Sequence, residues 1–118
     1  MNKILIYHNP RWSKSRESVK ILENSGKDYE IIDYIKSPLS IGELKAIAKK
    51  MDFRPKDFIR KGEGIFKELN LKEHINDDET IFQYMLENPK LIERPIIVSG
   101  DKAVLGRPPE KVNEIINM

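Results

Sequence analysis

The chain has 118 residues, 39% of them apolar and 34% charged, a size and mix that fit one folded domain and exclude an intrinsically disordered chain. Lys and Arg number 21 against 19 for Asp and Glu, too even a balance to argue for a nucleic-acid partner. There is no cysteine, which excludes disulfides, thiolate metal sites and thiol nucleophiles, and fits a reducing compartment.

Taken in chain order, Ile4-Leu5-Ile6-Tyr7 is a short, β-branched apolar run, which predicts a strand buried on both faces of a sheet. The segment HNPRWSKS breaks it, and residues 15–25 follow a helical pattern with Val19 and Leu22 on one side and Gly26 as the stop. Residues 29–33 read as a second strand around Ile31 and Ile32. Strand, helix, strand in this space is a βαβ unit with a right-handed crossover. Ser40 and Glu43 make a capping box before Leu44, Ile47, Ala48 and Met51, which recur on one face of a helix. RPKDFIRKGEG predicts a short helical turn ended by Gly62 or Gly64, and IFKELNL a further one. Asp77 or Asp78 caps a helix carrying Ile81, Phe82, Met85 and Leu86, which stops before Pro89. Ile96-Ile97-Val98 and Ala103-Val104-Leu105 read as strands of a hairpin turning at Gly100-Asp101, and Pro109 opens a closing helix with Val112, Ile115 and Ile116 facing inward.

The order is therefore βαβ, a helical stretch, then ββα. This predicts an α/β protein with a thioredoxin-like mixed four-stranded sheet, a single domain over residues 1–118, and a helical insertion over residues 39–92. No signal peptide is expected before the first strand, because the apolar run before Pro10 is too short, and no apolar stretch approaches the roughly 18 residues of a membrane span. A cytoplasmic protein with no membrane partner is expected.

Three features could carry chemistry. The loop His8-Asn9-Pro10-Arg11-Trp12-Ser13-Lys14-Ser15-Arg16 leads from the end of the first strand into the first helix. Ligands of open α/β sheets bind beyond strand ends, and free N–H groups at a helix start favour an anion, with Ser13 and Ser15 as hydroxyl donors. The plain alternative is that Ser13 or Ser15 caps the helix while the cations face water. The second feature is Arg60, Arg94 and Arg107, in FIRKGEG, IERPI and LGRPP. Arg94 and Arg107 each precede proline, which favours extended backbone, and guanidinium forks match tetrahedral oxyanions. The alternative for each is an ordinary solvated side chain. His8 is the third: a neutral imidazole at a strand end orients or acidifies a neighbour, or else is structural. Nothing in the pattern calls for a metal.

The motifs YHNPRWSKSR, FIRKGE, NPKLIERPI and LGRP, in this order and spacing, resemble those of the glutaredoxin-coupled arsenate reductases from Ile4 to about Ile116. In that family a cysteine two residues after the Asn-Pro attacks arsenate, and glutathione and glutaredoxin complete the reduction to arsenite. The resemblance assigns Arg60, Arg94 and Arg107 to the oxyanion, His8 to the neighbourhood of the nucleophile, and a cis peptide bond to Pro95. The nucleophile's position is Trp12, whose indole N–H is a donor only and cannot act as nucleophile or redox centre. The expectation is a catalytically inactive member that keeps a site for arsenate, phosphate or sulfate. Glutathione and glutaredoxin are then family co-substrates that this chain cannot use, and no cofactor is bound. The other reading is a binding module for an oxyanion or a protein, related to the RNA polymerase-binding stress regulators of the same fold. Those sense disulfide stress through a Cys-x-x-Cys pair that here reads Trp12-Ser13-Lys14-Ser15.

Overall fold

The computed structural model describes residues 3–7, 13–34, 36–106 and 109–117, with the backbone alone for residues 13–15 and 109. In chain order its strands and α-helices are β1 (Ile4–Tyr7), α1 (Ser13–Ser25), β2 (Tyr29–Ile32), α2 (Ile41–Met51), α3 (Gly64–Glu68), α4 (Asp78–Glu87), β3 (Ile96–Ser99), β4 (Lys102–Leu105) and α5 (Asn113–Ile116). Short 3₁₀ turns lie at Pro55–Asp57, Leu71–His74, Pro89–Leu91 and Pro109–Val112. The chain divides into two compact units, Met1–Ser37 with Arg94–Met118, and Pro38–Glu93.

The first unit is built on a four-stranded mixed sheet in the order β2-β1-β3-β4. β1 runs parallel to β2, with Ile6 opposite Ile31, and antiparallel to β3, with Ile6 opposite Ile97. β3 continues antiparallel into β4, with Ile97 opposite Val104. Side chains alternate across a pleat, so Ile6, Ile97 and Val104 share one face. That face packs with Ile4, Leu22 of α1, Val112 and Ile115 into a single buried cluster. Tyr7, Ile96, Val98 and Ala103, on the opposite face, are buried as well. The central strands are thus apolar on both faces, which explains their unbroken apolar runs. β2 is an edge strand: Ile31 is 45% exposed, so its apolar side chain is not a core residue despite the β-branched run around it. Gly26 ends α1 with φ +75°, and Gly100 takes φ +58° in the β3–β4 turn, conformations that glycine enters without steric cost.

The second unit is helical. Ser40 caps α2 by accepting from the Glu43 N–H, and Glu43 Oε1 accepts from the Ser40 N–H in return. Leu44, Ile47, Ala48 and Met51 are the buried stripe of α2, as the spacing predicts. Asp77 caps α4 by accepting from the Thr80 N–H and hydroxyl, two bonds that hold its carboxyl below the usual carboxylate range. α2 and α4 pack together, and Lys45 of α2 reaches Glu79 of α4 at 2.7 Å. Arg54 makes a fork on Asp78 Oδ1, from Nη2 at 2.9 Å and Nε at 3.2 Å, which raises its pKa further above the ordinary value.

Several expected boundaries move. α1 begins at Ser13 rather than residue 15, and β2 ends at Ile32 rather than residue 33. The turn in RPKDFIRKGEG closes at Asp57, not at a glycine. Phe58 and Ile59 are buried, and Ile59 forms an antiparallel bridge to Ile92, so extended backbone replaces helix where a distant strand partner is present. Gly64 opens α3 instead of ending a turn. The IFKELNL helix is cut at Asn70, whose φ is +52°, and a separate 3₁₀ turn follows. The closing helix is a 3₁₀ turn that runs into the short α5. Among the described residues no helix is long and apolar enough to cross a membrane.

Candidate functional site

One rung of the sheet organises the first unit's candidate region. Ile96 lies opposite Tyr7 on one side and Leu105 on the other, and Tyr7 lies opposite Ile32. At this end of the sheet the chain leaves β1 toward residues 8–12, enters β3 from Arg94 and Pro95, and leaves β4 at Gly106. The Gly106 N–H donates to the Pro95 carbonyl at 2.8 Å, which closes this end of the hairpin. The Arg94–Pro95 bond is cis, as the resemblance implied. These segments place Arg94 at this end of the first unit's sheet, beside the β1–β3–β4 rung.

The packing here leaves no room for a side chain at position 106. A Cβ on Gly106 would stand 2.8 Å from Pro95 Cγ, 2.9 Å from Ile97 Cδ1 and 3.0 Å from Ser18 Oγ. Ser18, on α1, is fully buried and its hydroxyl has no hydrogen-bond partner among the described residues. Neither residue stood out in the sequence. The only trace of Gly106 was its place inside LGRP, and a serine inside an amphipathic helix carries no sign of its burial.

Arg94 is 5% exposed, so it is not an ordinary solvated arginine. Withdrawing a guanidinium from water is costly unless polar groups or a ligand compensate. Arg60 belongs to the second unit. Its N–H donates to the Leu91 carbonyl at 2.7 Å beside the Ile59–Ile92 bridge, and its side chain is 18% exposed. Nη1 lies 3.3 Å from Glu63 Oε1 and Nε lies 3.9 Å from Glu93 Oε1. Here too the solvated alternative fails. The two carboxylates were missed, although the i,i+3 spacing of Arg60 and Glu63 was a readable signal.

His8, Trp12 and Arg107 lie outside the described residues. Ser13 and Ser15 fall within the first turn of α1, so Ser15 does not stand before the helix as a cap would. Among the described residues no group of His, Asp and Glu could hold a metal ion.

A mixed sheet in the order β2-β1-β3-β4, with a cis-proline entering β3 and an α-helix crossing from β1 to β2, defines a thioredoxin-like α/β protein. Within that class the comparisons are specific. The model of the ArsC family matches residues 7–115. An arsenate reductase of Haemophilus influenzae is 42% identical over 114 residues, covering 96% of this chain and 98% of that one. One of Neisseria meningitidis is 34% identical over 117 residues, covering 98% and 100%. The solved structure of an arsenate reductase from Vibrio cholerae superposes with a TM-score of 0.92 at 43% identity, covering 97% of this chain and 98% of that one. This chain belongs to the ArsC family. The matches favour the arsenate reductase resemblance over that to the polymerase-binding regulators.

Proposed function

We propose that this chain is an ArsC-family protein that keeps an oxyanion site and lacks the redox chemistry of a thiol-dependent arsenate reductase. The observation that carries the reading is the absence of any cysteine from a chain whose relatives include arsenate reductases. Reducing arsenate to arsenite takes two electrons, which two thiols supply by becoming a disulfide. A chain without a thiol can neither form the sulfur–arsenic bond nor enter a mixed disulfide with glutathione. Trp12 occupies the nucleophile's position and offers only an N–H donor. The serines do not replace it, because a hydroxyl forms no disulfide.

Retention of Arg60 and Arg94, both withdrawn from bulk water, supports the binding half of the reading. A surface charge with no task is normally left solvated. In this reading Arg60, Arg94 and Arg107 hold a tetrahedral oxyanion such as arsenate, phosphate or sulfate, with N–H and hydroxyl donors from the start of α1 at Ser13 and Ser15. The family resemblance assigns His8 to the neighbourhood of the nucleophile's position, here Trp12. Glutaredoxin and glutathione are then co-substrates of the relatives' reaction that this chain cannot use.

The test has two arms. With glutathione and glutaredoxin supplied, the wild-type chain should give no arsenite above a no-enzyme control, and turnover would overturn the reading. Trp12→Cys restores the thiol and should produce glutaredoxin-dependent reduction. Independently, titration with arsenate, phosphate or sulfate should change the fluorescence of Trp12, the single tryptophan, in a saturable way. Weak binding, with Kd in about the micromolar to millimolar range, is expected from a few charge-assisted hydrogen bonds.

A further inference from the structure

Arg60 is held by more than its own chain segment. Glu63 reaches it from the turn that follows, where the Glu63 N–H donates to the Arg60 carbonyl at 3.3 Å. Glu93 reaches it from the segment bridged to Ile59, where the Glu93 N–H donates to the Phe58 carbonyl at 2.9 Å. The backbone at both glutamates is therefore fixed by hydrogen bonds, one local and one to a segment far along the chain. The side chains of Arg60, Glu63 and Glu93 are 18%, 25% and 20% exposed, and Arg60 Nη1 is shielded from solvent. Two carboxylates therefore stand beside Arg60, the group that an incoming anion would have to engage.

We propose that Glu63 and Glu93 are internal stand-ins for the oxyanion at Arg60. They neutralise the guanidinium in the ligand-free protein, and an oxyanion that engages Arg60 displaces at least one of them. This rests on the oxyanion-site reading above and adds what sets its affinity. The chemistry is one of like replacing like. A guanidinium fork receives the paired oxygens of a carboxylate much as it receives those of a phosphate or arsenate. A guanidinium withdrawn from bulk water is stabilised by carboxylates beside it whether or not a ligand is present. The carboxylates thus keep Arg60 in place and also weaken binding, by direct competition and by repelling the incoming anion. A glutamine keeps the size of the side chain and an oxygen acceptor but removes the charge. It therefore separates competition from simple orientation of Arg60, because the two roles predict opposite signs.

Calorimetric titration of the full chain with inorganic phosphate and with arsenate tests this in wild type, Glu63→Gln, Glu93→Gln and the double variant. Each single substitution should tighten binding by roughly five- to tenfold, and the double variant by more. The gain should shrink as ionic strength rises from about 20 mM to about 0.5 M, because the groups are partly exposed and screened. Saturable binding by the double variant alone would also support the proposal. Saturable binding by wild type that is equal or weaker in the double variant would overturn it, making the glutamates positioning residues only. If neither protein binds phosphate or arsenate, the oxyanion reading falls, and the proposal with it. Thermal melts of all four proteins, with the single variants as the milder changes, verify that each is folded.

Discussion

At the scale of single residues, the contact between Gly106, Ser18 and Pro95 makes the sharpest demand. Adding one methyl at Gly106 forces atoms within 3.0 Å to move, and two of the three neighbours belong to a proline ring and a buried isoleucine. Gly106→Ala should destabilise the protein by about 1–3 kcal/mol in denaturant titration. Ser18 predicts the opposite sign. Its buried hydroxyl has no partner among the described residues, so removing it orphans no other described group. Ser18→Ala should stabilise by about 1 kcal/mol. Because Ser18 Oγ is one of the atoms that the new Cβ meets, the double variant should be less damaged than the sum of the single ones, and a double-mutant cycle measures that difference.

At the scale of elements, the caps of α2 and α4 carry testable energies. Ser40→Ala removes a reciprocal cap, and should lower stability by about 1 kcal/mol, read as a fall of several degrees in Tm. Asp77 gives a pH signature. The Thr80 hydroxyl and then the Thr80 N–H favour its charged form and lower its pKa from the ordinary 3.8. A carboxyl whose folded pKa is depressed stabilises the fold above its unfolded pKa, and that stability drains away as pH falls toward the folded value. The Tm advantage of wild type over Asp77→Asn should therefore be constant from neutral pH down to about pH 4 and shrink below it, since Asn caps without titrating. An advantage that grew on acidification would contradict this hydrogen-bonding role.

At the scale of the molecule, the sheet's non-local pairing decides both stability and site. Ile97 is fully buried in the cluster between the sheet, α1 and α5, and Ile97→Ala should cost about 2–5 kcal/mol. Ile31, in a run of the same residue type, is 45% exposed on the edge strand, and Ile31→Ala should change stability by no more than about 0.5 kcal/mol. The rung through Tyr7, Ile96 and Leu105 also arranges the chain segments at the candidate end of the first unit. Its integrity can be followed by amide exchange: the β3 amides should be protected to nearly the global unfolding free energy, and those of edge strand β2 less.

Much of this was legible in the residues themselves, for a local reason. The Ser40–Glu43 box, the Asp77 cap, the Gly26 stop and the Gly100 turn are decided by backbone groups within a few positions of each other, so short patterns suffice to read them. The absence of a thiol is composition alone, and the proposed loss of redox chemistry rests on it. The ordered motifs around Arg60, Arg94 and Arg107 pointed to the family without coordinates. Tertiary structure decided what depends on partners far along the chain. Extended backbone at Ile59 goes with its bridge to Ile92, and the turn ends before Gly62 and Gly64, the glycines whose pattern predicts its stop. Burial separated Ile97 from Ile31, and raised Arg60 and Arg94 from candidate surface charges to side chains withdrawn from water. The crowding at Gly106 and the carboxylate of Glu93 beside Arg60 exist only because distant segments pair. Propensity and spacing describe each segment's own preferences, whereas contacts between segments are selected by the packing of the whole core.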